Sequence, residues 1–216
     1  MGVNDLEIAM ERSMDEIESI AKRLSIDDPS HDWHHIKRVY KLCMRIGEEE
    51  GANLDVLKVA SLLHDIGLRD ELEKGIDHAE RGAAMARDIL EELGFPGQMV
   101  DEITYAIGVH RYGRKIKPKT QEAAVLQDAD RLDALGAIGI ARAFADSRTH
   151  VIYDPTEEPG DYDPYRDRSA ITHFYEKLLR LEDTMNTQTA RKIASGRHEF
   201  MERFLDRFFM ELGGRA

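Results

Sequence analysis

The sequence predicts an all-α fold: one helical domain with a single long irregular loop near 147–169. Apolar residues recur at helical spacing along most of the chain, and no run keeps the period of two that a half-buried strand requires. Capping and breaking residues also punctuate the helical stretches where helices would start and stop.

Taken in order, Leu6, Met10, Ile17, Ile20 and Leu24 approximate an i, i+3, i+4, i+7 stripe and predict an amphipathic helix over 4–24. Asp27-Asp28-Pro29-Ser30 breaks it. A second helix over 32–50 is expected to bury Ile36, Val39, Tyr40, Cys43 and Ile46, and Gly51 supplies its stop. A third, over 53–64, presents Leu54, Leu57, Val59, Leu62 and Leu63, after which Gly67 permits a turn. Asp77 can cap a helix running to Gly94, and Pro96 starts another that ends at His110. The segment 111–119 is basic and cannot be a buried helix. Residues 120–145 return to helical patterning, where Ala134, Gly136, Ala137, Gly139 and Ala141 would let helices approach closely. The loop at 147–169 carries Pro155, Pro159, Gly160 and Pro164, and a loop of that length is usually either functional or disordered. Two long helices, 170–184 and 187–212, should close the fold.

Composition narrows the function. At 216 residues the chain suits one domain spanning 1–216, long enough to bury a core without staples. A net charge of −12 argues against sequence-independent binding to duplex nucleic acid, which needs lysine and arginine to neutralise phosphates. The one cysteine, Cys43, excludes an intramolecular disulfide and sits among Val39, Leu42 and Ile46, which points to packing. No apolar run approaches the ~20 residues that span a bilayer, so no membrane partner is expected. Asp5, Glu7, Glu11 and Asp15 stand where a signal peptide would be basic and then apolar, and a cytoplasmic location is the expectation.

The chemistry concentrates in four residues. His64 and Asp65 end the apolar run Val59-Ala60-Ser61-Leu62-Leu63, His35 lies upstream in HDWHH, and Asp130 lies downstream in DADRLD. Imidazole nitrogens and carboxylate oxygens together bind borderline and hard divalent cations. An ionised aspartate directly after an apolar run would be costly to bury without a cation or partner.

These residues resemble the HD superfamily of metal-dependent phosphohydrolases, whose signature is His, then His-Asp, then Asp. His35 matches the first histidine, His64 and Asp65 the doublet, and Asp130 the last aspartate. HDWHHIKRV, LLHDIG and DADRLDALGAIGIAR surround them, and ITHFYEKLLRLEDTMNTQTARKIASGRHEFM is similar to a small bacterial and archaeal subgroup, so the resemblance runs from about 25 to 212. It implies an HD/PDEase-like helical domain with its metal-site core at about 25–145 and closing helices at about 170–212. One divalent metal (Mn²⁺, Fe²⁺, Co²⁺ or Ni²⁺, with Mg²⁺ admissible) would then be held by His35, His64, Asp65 and Asp130. Asp133 reads as a supporting or helix-capping group, and Asp128 is left without a role.

His78 and His110 occupy positions where some members of that superfamily hold a second metal. Contact with substrate or a bridging water is preferred here, because the subgroup resembled is mononuclear. His34 reads as a solvent-facing neighbour of His35, and His31 has no assigned role. The expected reaction is attack of metal-activated water on a phosphorus of a small nucleotide or related phosphoester. Asp65 would orient the water and Asp70 would accept its proton. Since the acidic protein repels such a substrate, cations must meet it. Arg38, three residues after His35, and Lys177 are favoured over Arg69, Arg81, Arg111, Arg114, Lys115 and Arg148. Tyr112, Tyr153, Tyr162 and Tyr165 are candidates to stack on a base. The alternative is a non-catalytic regulatory module that binds nucleotide or metal, against which four intact ligands weigh. Cyclic-nucleotide or dinucleotide hydrolysis ranks third for want of a His-His doublet near His110. A homodimer is compatible with the sequence.

Overall fold

The computed structural model describes residues 3–28, 30–146, 151–163 and 166–215, with side chains from residue 13 onward. Among these residues no strand forms, and ten α-helices are joined by turns, short 3₁₀ segments and one long irregular stretch. They are α1 (Val3–Leu24), α2 (Trp33–Glu50), α3 (Leu54–Leu63), α4 (Leu68–Lys74), α5 (His78–Glu92), α6 (Gly97–Val109), α7 (Gln121–Asp133), α8 (Gly136–Ala145), α9 (Ala170–Glu176) and α10 (Gln188–Leu212). Among the described residues no helix is long and apolar enough to cross a membrane.

Local chemistry sets the boundaries. Asp32 caps α2 by accepting the His35 N–H at 2.9 Å, and Gly51 closes it in the left-handed region at φ 71°. Asn53, Asp77, Thr120 and Thr187 cap α3, α5, α7 and α10 in the same way. The core is built where α2 packs on α3 and α7, and α6 packs on α3 and α5. Ile36, Val39, Leu57, Leu62, Ile103, Ile107, Leu126 and Leu132 are all buried there.

Four expectations need correction. The helix expected over 120–145 is two helices, because Gly136 turns the chain at φ 72° between α7 and α8. The one expected over 170–184 ends at Glu176, where Lys177 leaves helical geometry at φ −130°, and continues as two 3₁₀ turns. Helix α4 was not anticipated; it is seven residues long and buries none of them, so it leaves no apolar stripe to read. Gly67 is required for closeness, since its φ of −83° suits any residue. A Cβ there would collide with the His78 carbonyl oxygen and lie 2.7 Å from the Gly82 nitrogen. Gly82 in turn lies against the carbonyl of His64. This glycine pair lets the start of α5 seat directly on the His64-Asp65 turn.

Candidate metal centre and the cavity above it

Five helices deliver the polar cluster. His35 comes from the first turn of α2, His64 and Asp65 from the end of α3, His78 from the start of α5, His110 from the end of α6, and Asp130 and Asp133 from α7. The Nε2 atoms of His35 and His64 are 3.3 Å apart. Each stands 3.4 Å from Asp65 Oδ2, and His35 Nε2 is 3.5 Å from Asp130 Oδ1. On the other oxygen, Asp65 Oδ1 faces His110 Nε2 at 3.6 Å and His78 Nε2 at 3.8 Å.

Each imidazole is oriented through its other nitrogen. His35 Nδ1 meets Asp133 Oδ2 at 2.7 Å and His78 Nδ1 meets Glu71 Oε2 at 2.5 Å. His64 and His110 occupy equivalent places at the ends of their helices. Their Nδ1 atoms meet the carbonyl three residues back, Ser61 at 2.8 Å and Ile107 at 2.7 Å, satisfying acceptors that a helix end leaves open. With every Nδ1 engaged as a donor, the Nε2 atoms are turned inward, where they become metal ligands on losing their protons.

The donor set fits a divalent cation. His35, His64 and Asp130 form one compact group, and His64, Asp65 and His110 a second, each with ligand atoms within 4.8 Å of one another. Asp65 Oδ2 is buried and has no hydrogen-bond partner, a costly state for a carboxylate oxygen unless a cation meets it. Burial opposes ionisation of Asp65, yet His64, His110 and His35 around it hold its carboxyl well below the usual range. Burial likewise opposes a proton on His64, but the adjoining Asp65 carboxylate raises that imidazole to about 9. Without metal, protons and carboxylates neutralise one another, and a cation would take the place of those protons.

Asp133 is the hub beneath this cluster. Besides His35 it accepts from Arg38 Nε at 2.7 Å, from Arg38 Nη2 at 3.0 Å and from Arg142 Nη1 at 2.9 Å. Asp128 works elsewhere, tying the start of α10 to α7 by accepting the Asn186 and Thr187 N–H groups at 2.8 Å each.

Above the cluster opens a cavity of about 370 Å³, walled by Asp65, Asp130, His78 and His110 on one side and by Tyr112, Tyr162 and Lys177 on another. The Tyr112 and Tyr162 rings are 5.8 Å apart, and Lys177 Nζ lies 5.0 Å from the centre of the Tyr162 ring. Sequence reading had missed Glu71, Asp28 and Ser30, which also line it. Ser30 Oγ bonds both Asp28 Oδ1 and His31 Nδ1, the latter at 2.7 Å, and His31 joins the wall through them.

Two expected site residues are displaced. Asp70 does not line the cavity; it is held outside by Lys74 at 2.7 Å and Arg81 at 2.5 Å, and the carboxylate that α4 turns inward is its neighbour Glu71. Arg38 shares the His35 face as expected, but its guanidinium is spent on Asp133 and does not reach the cavity. Among the other cations, Arg111 bridges Glu71 at 2.8 Å and Asp77 at 2.6 Å, and Arg114 reaches Glu80 at 2.8 Å. Tyr153 packs edge-on against Phe208 and Phe209 instead of facing the site. Arg148 and Tyr165 lie outside the described residues. His34 is exposed, as expected.

The irregular loop borders the cavity through Tyr162, beside Asp146 at the end of α8. Its described residues are tied down: buried Glu176 accepts from Gly160 N at 3.2 Å, Arg166 at 3.1 Å and Arg168 at 2.7 Å. Arg168 stands beneath the Tyr162 ring, 5.3 Å from its centre.

Comparison with known proteins agrees with this architecture. A family model described as HD domain matches residues 32–135, the span from the cap of α2 to the end of α7. The chain is 37% identical over 200 residues to the uncharacterised protein YpgQ of Bacillus subtilis, covering 88% of this chain and 89% of that one. The crystal structure of YpgQ in complex with ADP superposes with a TM-score of 0.72, covering 94% of this chain and 96% of the other at 37% identity. An HD-superfamily hydrolase from Bacillus thuringiensis gives the same TM-score at 35% identity, covering 96% and 98%. A Lactobacillus plantarum protein reaches 0.79 at 31% identity, covering 94% and 98%. With the ligand pattern, the helical frame and these relatives in agreement, the chain belongs to the HD-domain family and, with it, to the metal-dependent hydrolases.

Proposed function

We propose that the protein is a phosphohydrolase that cleaves a phosphoester or phosphoanhydride bond of a small nucleotide. The observation that carries this is Asp65 Oδ2: a buried carboxylate oxygen with no hydrogen bond, 3.4 Å from each of two inward-facing imidazole nitrogens and lining an open cavity. His35, His64, Asp65 and Asp130 would hold a divalent cation, which would supply a water that ionises near neutral pH and a charge that offsets the phosphoryl oxygens.

The chain's own residues do the rest. Asp65 presents Oδ2 to the cation position and Oδ1 to His110 and His78, so one carboxylate links the ligand cluster to the cavity wall. His78, with its Nδ1 proton held on Glu71, turns its Nε2 towards Asp65 Oδ1 and lines the cavity. The pair can pass a proton between the cavity and Glu71, and it takes the role first assigned to Asp70. Lys177 offers a cation to phosphate oxygens, and the Tyr112–Tyr162 pair offers faces for a base. The 37% identical YpgQ was crystallised with ADP, which supports a nucleotide as the ligand class.

The test is release of phosphate and of pyrophosphate from a panel of nucleotides by metal-stripped protein reloaded with Mn²⁺, Co²⁺, Ni²⁺ or Mg²⁺. Metal-dependent turnover of at least one nucleotide is expected. Stoichiometric metal without turnover on any of them would overturn the substrate class.

A further inference from the structure

On the other side of Tyr112 lies a second, more open cavity of about 740 Å³, bordered by the 111–119 segment, the start of α7 and the approach to α10. Its walls carry Lys115, Lys117, Lys119, Arg131 and Arg191 against the single lining carboxylate of Asp183. In a chain of net charge −12 such a concentration runs against the average. The three lysines are exposed and, among the described residues, none is paired to a carboxylate.

Arg131 makes the basic wall more than a surface feature. It is only 7% exposed, and its guanidinium bonds neutral oxygens, the Thr184 carbonyl at 2.6 Å and Gln127 Oε1 at 2.8 Å. Its Nε is buried with no partner at all. Asp128 and Asp130 act on it only from beyond ion-pair distance. A buried guanidinium with no direct ion pair and an unbonded Nε is costly, and an anion in the adjoining cavity would relieve that cost. Two helix starts reinforce the field. Thr120 and Gln121 at the head of the 13-residue α7 line the cavity, and Asn186 lines it just before the cap of the 25-residue α10.

We propose that this cavity is a second anion site, separate from the reaction cavity, and that it takes a small oligophosphate. The confinement of the basic residues to this one patch and the acidic remainder of the protein favour a compact polyanion over a nucleic acid strand, which needs an extended basic track. The ring of Tyr112 is the wall between the two cavities, with Arg131 5.8 Å from its centre and Lys177 5.9 Å from it. The binding claim does not depend on the hydrolase reading.

Equilibrium dialysis of inorganic tripolyphosphate tests it, on full-length chain carrying Asp65→Asn with EDTA present, so that neither turnover nor a bound metal contributes. One tripolyphosphate per chain is expected. Adding Lys117→Gln and Lys119→Gln should weaken binding about tenfold or more, and Arg191→Gln should weaken it in the same direction. Lys177→Ala should leave it within about twofold. Far-UV circular dichroism of each variant establishes that the fold is retained. Absence of binding, binding indifferent to the lysine and Arg191 variants, or binding lost with Lys177→Ala would overturn the proposal. So would a single-stranded oligonucleotide binding where tripolyphosphate does not.

Discussion

Asp133 Oδ2 lies 2.7 Å from His35 Nδ1, and through that contact α7 orients a ligand carried by α2. The carboxylate is shared with Arg38 and Arg142, so it stays ionised although burial opposes it; His35 and Arg38 hold its carboxyl far below the ordinary range. An ionised partner at Nδ1 fixes the tautomer and makes Nε2 a better donor to a cation. Asp133→Asn keeps the shape and removes the charge. It should lower metal affinity about 10- to 100-fold, read from a Mn²⁺ titration. Unchanged affinity would mean that the contact serves packing alone.

The approach of α5 to the His64-Asp65 turn predicts a different kind of sensitivity. At Gly67 an added methyl meets backbone of His78 and Gly82, which cannot rotate away as a side chain would. Gly67→Ala should therefore cost about 1–3 kcal/mol, as overpacking does, and it should also shift His78 relative to Asp65. Denaturant unfolding measures the first effect. At the exposed Gly97, where a Cβ meets nothing, the same substitution should cause no comparable loss.

Much of this site was legible because its ligands sit in short local words. His64-Asp65 follows an apolar run that has to be a buried helix, and a carboxylate at the end of such a helix calls for a partner. His35 is three residues past the cap Asp32, so its place in the first turn of α2 could be read directly. What escaped depends on tertiary neighbours. Arg38 does share a helix face with His35, but what that face meets is Asp133, 95 residues away. Asp70 and Glu71 differ by one position on a helix too short to show a period, and 100° of rotation decides which enters the cavity. Asp128 binds residues almost 60 positions further on, a partnership no spacing announces.

Lys177 and Tyr162 should govern binding more than turnover. Lys177→Ala should raise KM for a nucleotide about tenfold, the loss of one charge-assisted contact, with a smaller change in kcat. Tyr162→Leu should discriminate against nucleotides relative to the corresponding ribose phosphates, which have no base to stack. Equal effects on both substrate types would remove the stacking role.

Cys43 supplies a pH prediction away from the site. It is fully buried in the core, and burial pushes its thiol far above the ordinary range. The folded protein therefore keeps the proton that the unfolded chain releases above about pH 8.5. Because the native state then binds more protons, this group's contribution to stability is full below that pH and declines as pH rises past it, by at most about 1.4 kcal/mol per pH unit. Native protein should resist thiol reagents at pH 7–9, and Cys43→Ala should flatten the alkaline decline measured by denaturant unfolding.

Asp65 should join His35, His64 and Asp130 on one cation that is needed for hydrolysis. The most direct measurement is Mn²⁺ stoichiometry and nucleotide turnover on the same preparations of wild type and Asp65→Asn. Wild type should bind one high-affinity Mn²⁺ per chain and turn over in proportion to it. Asp65→Asn should lose that ion and at least about a thousandfold in rate, while retaining the helical fold. An Asp65→Asn protein that keeps both its metal and its turnover would contradict the account.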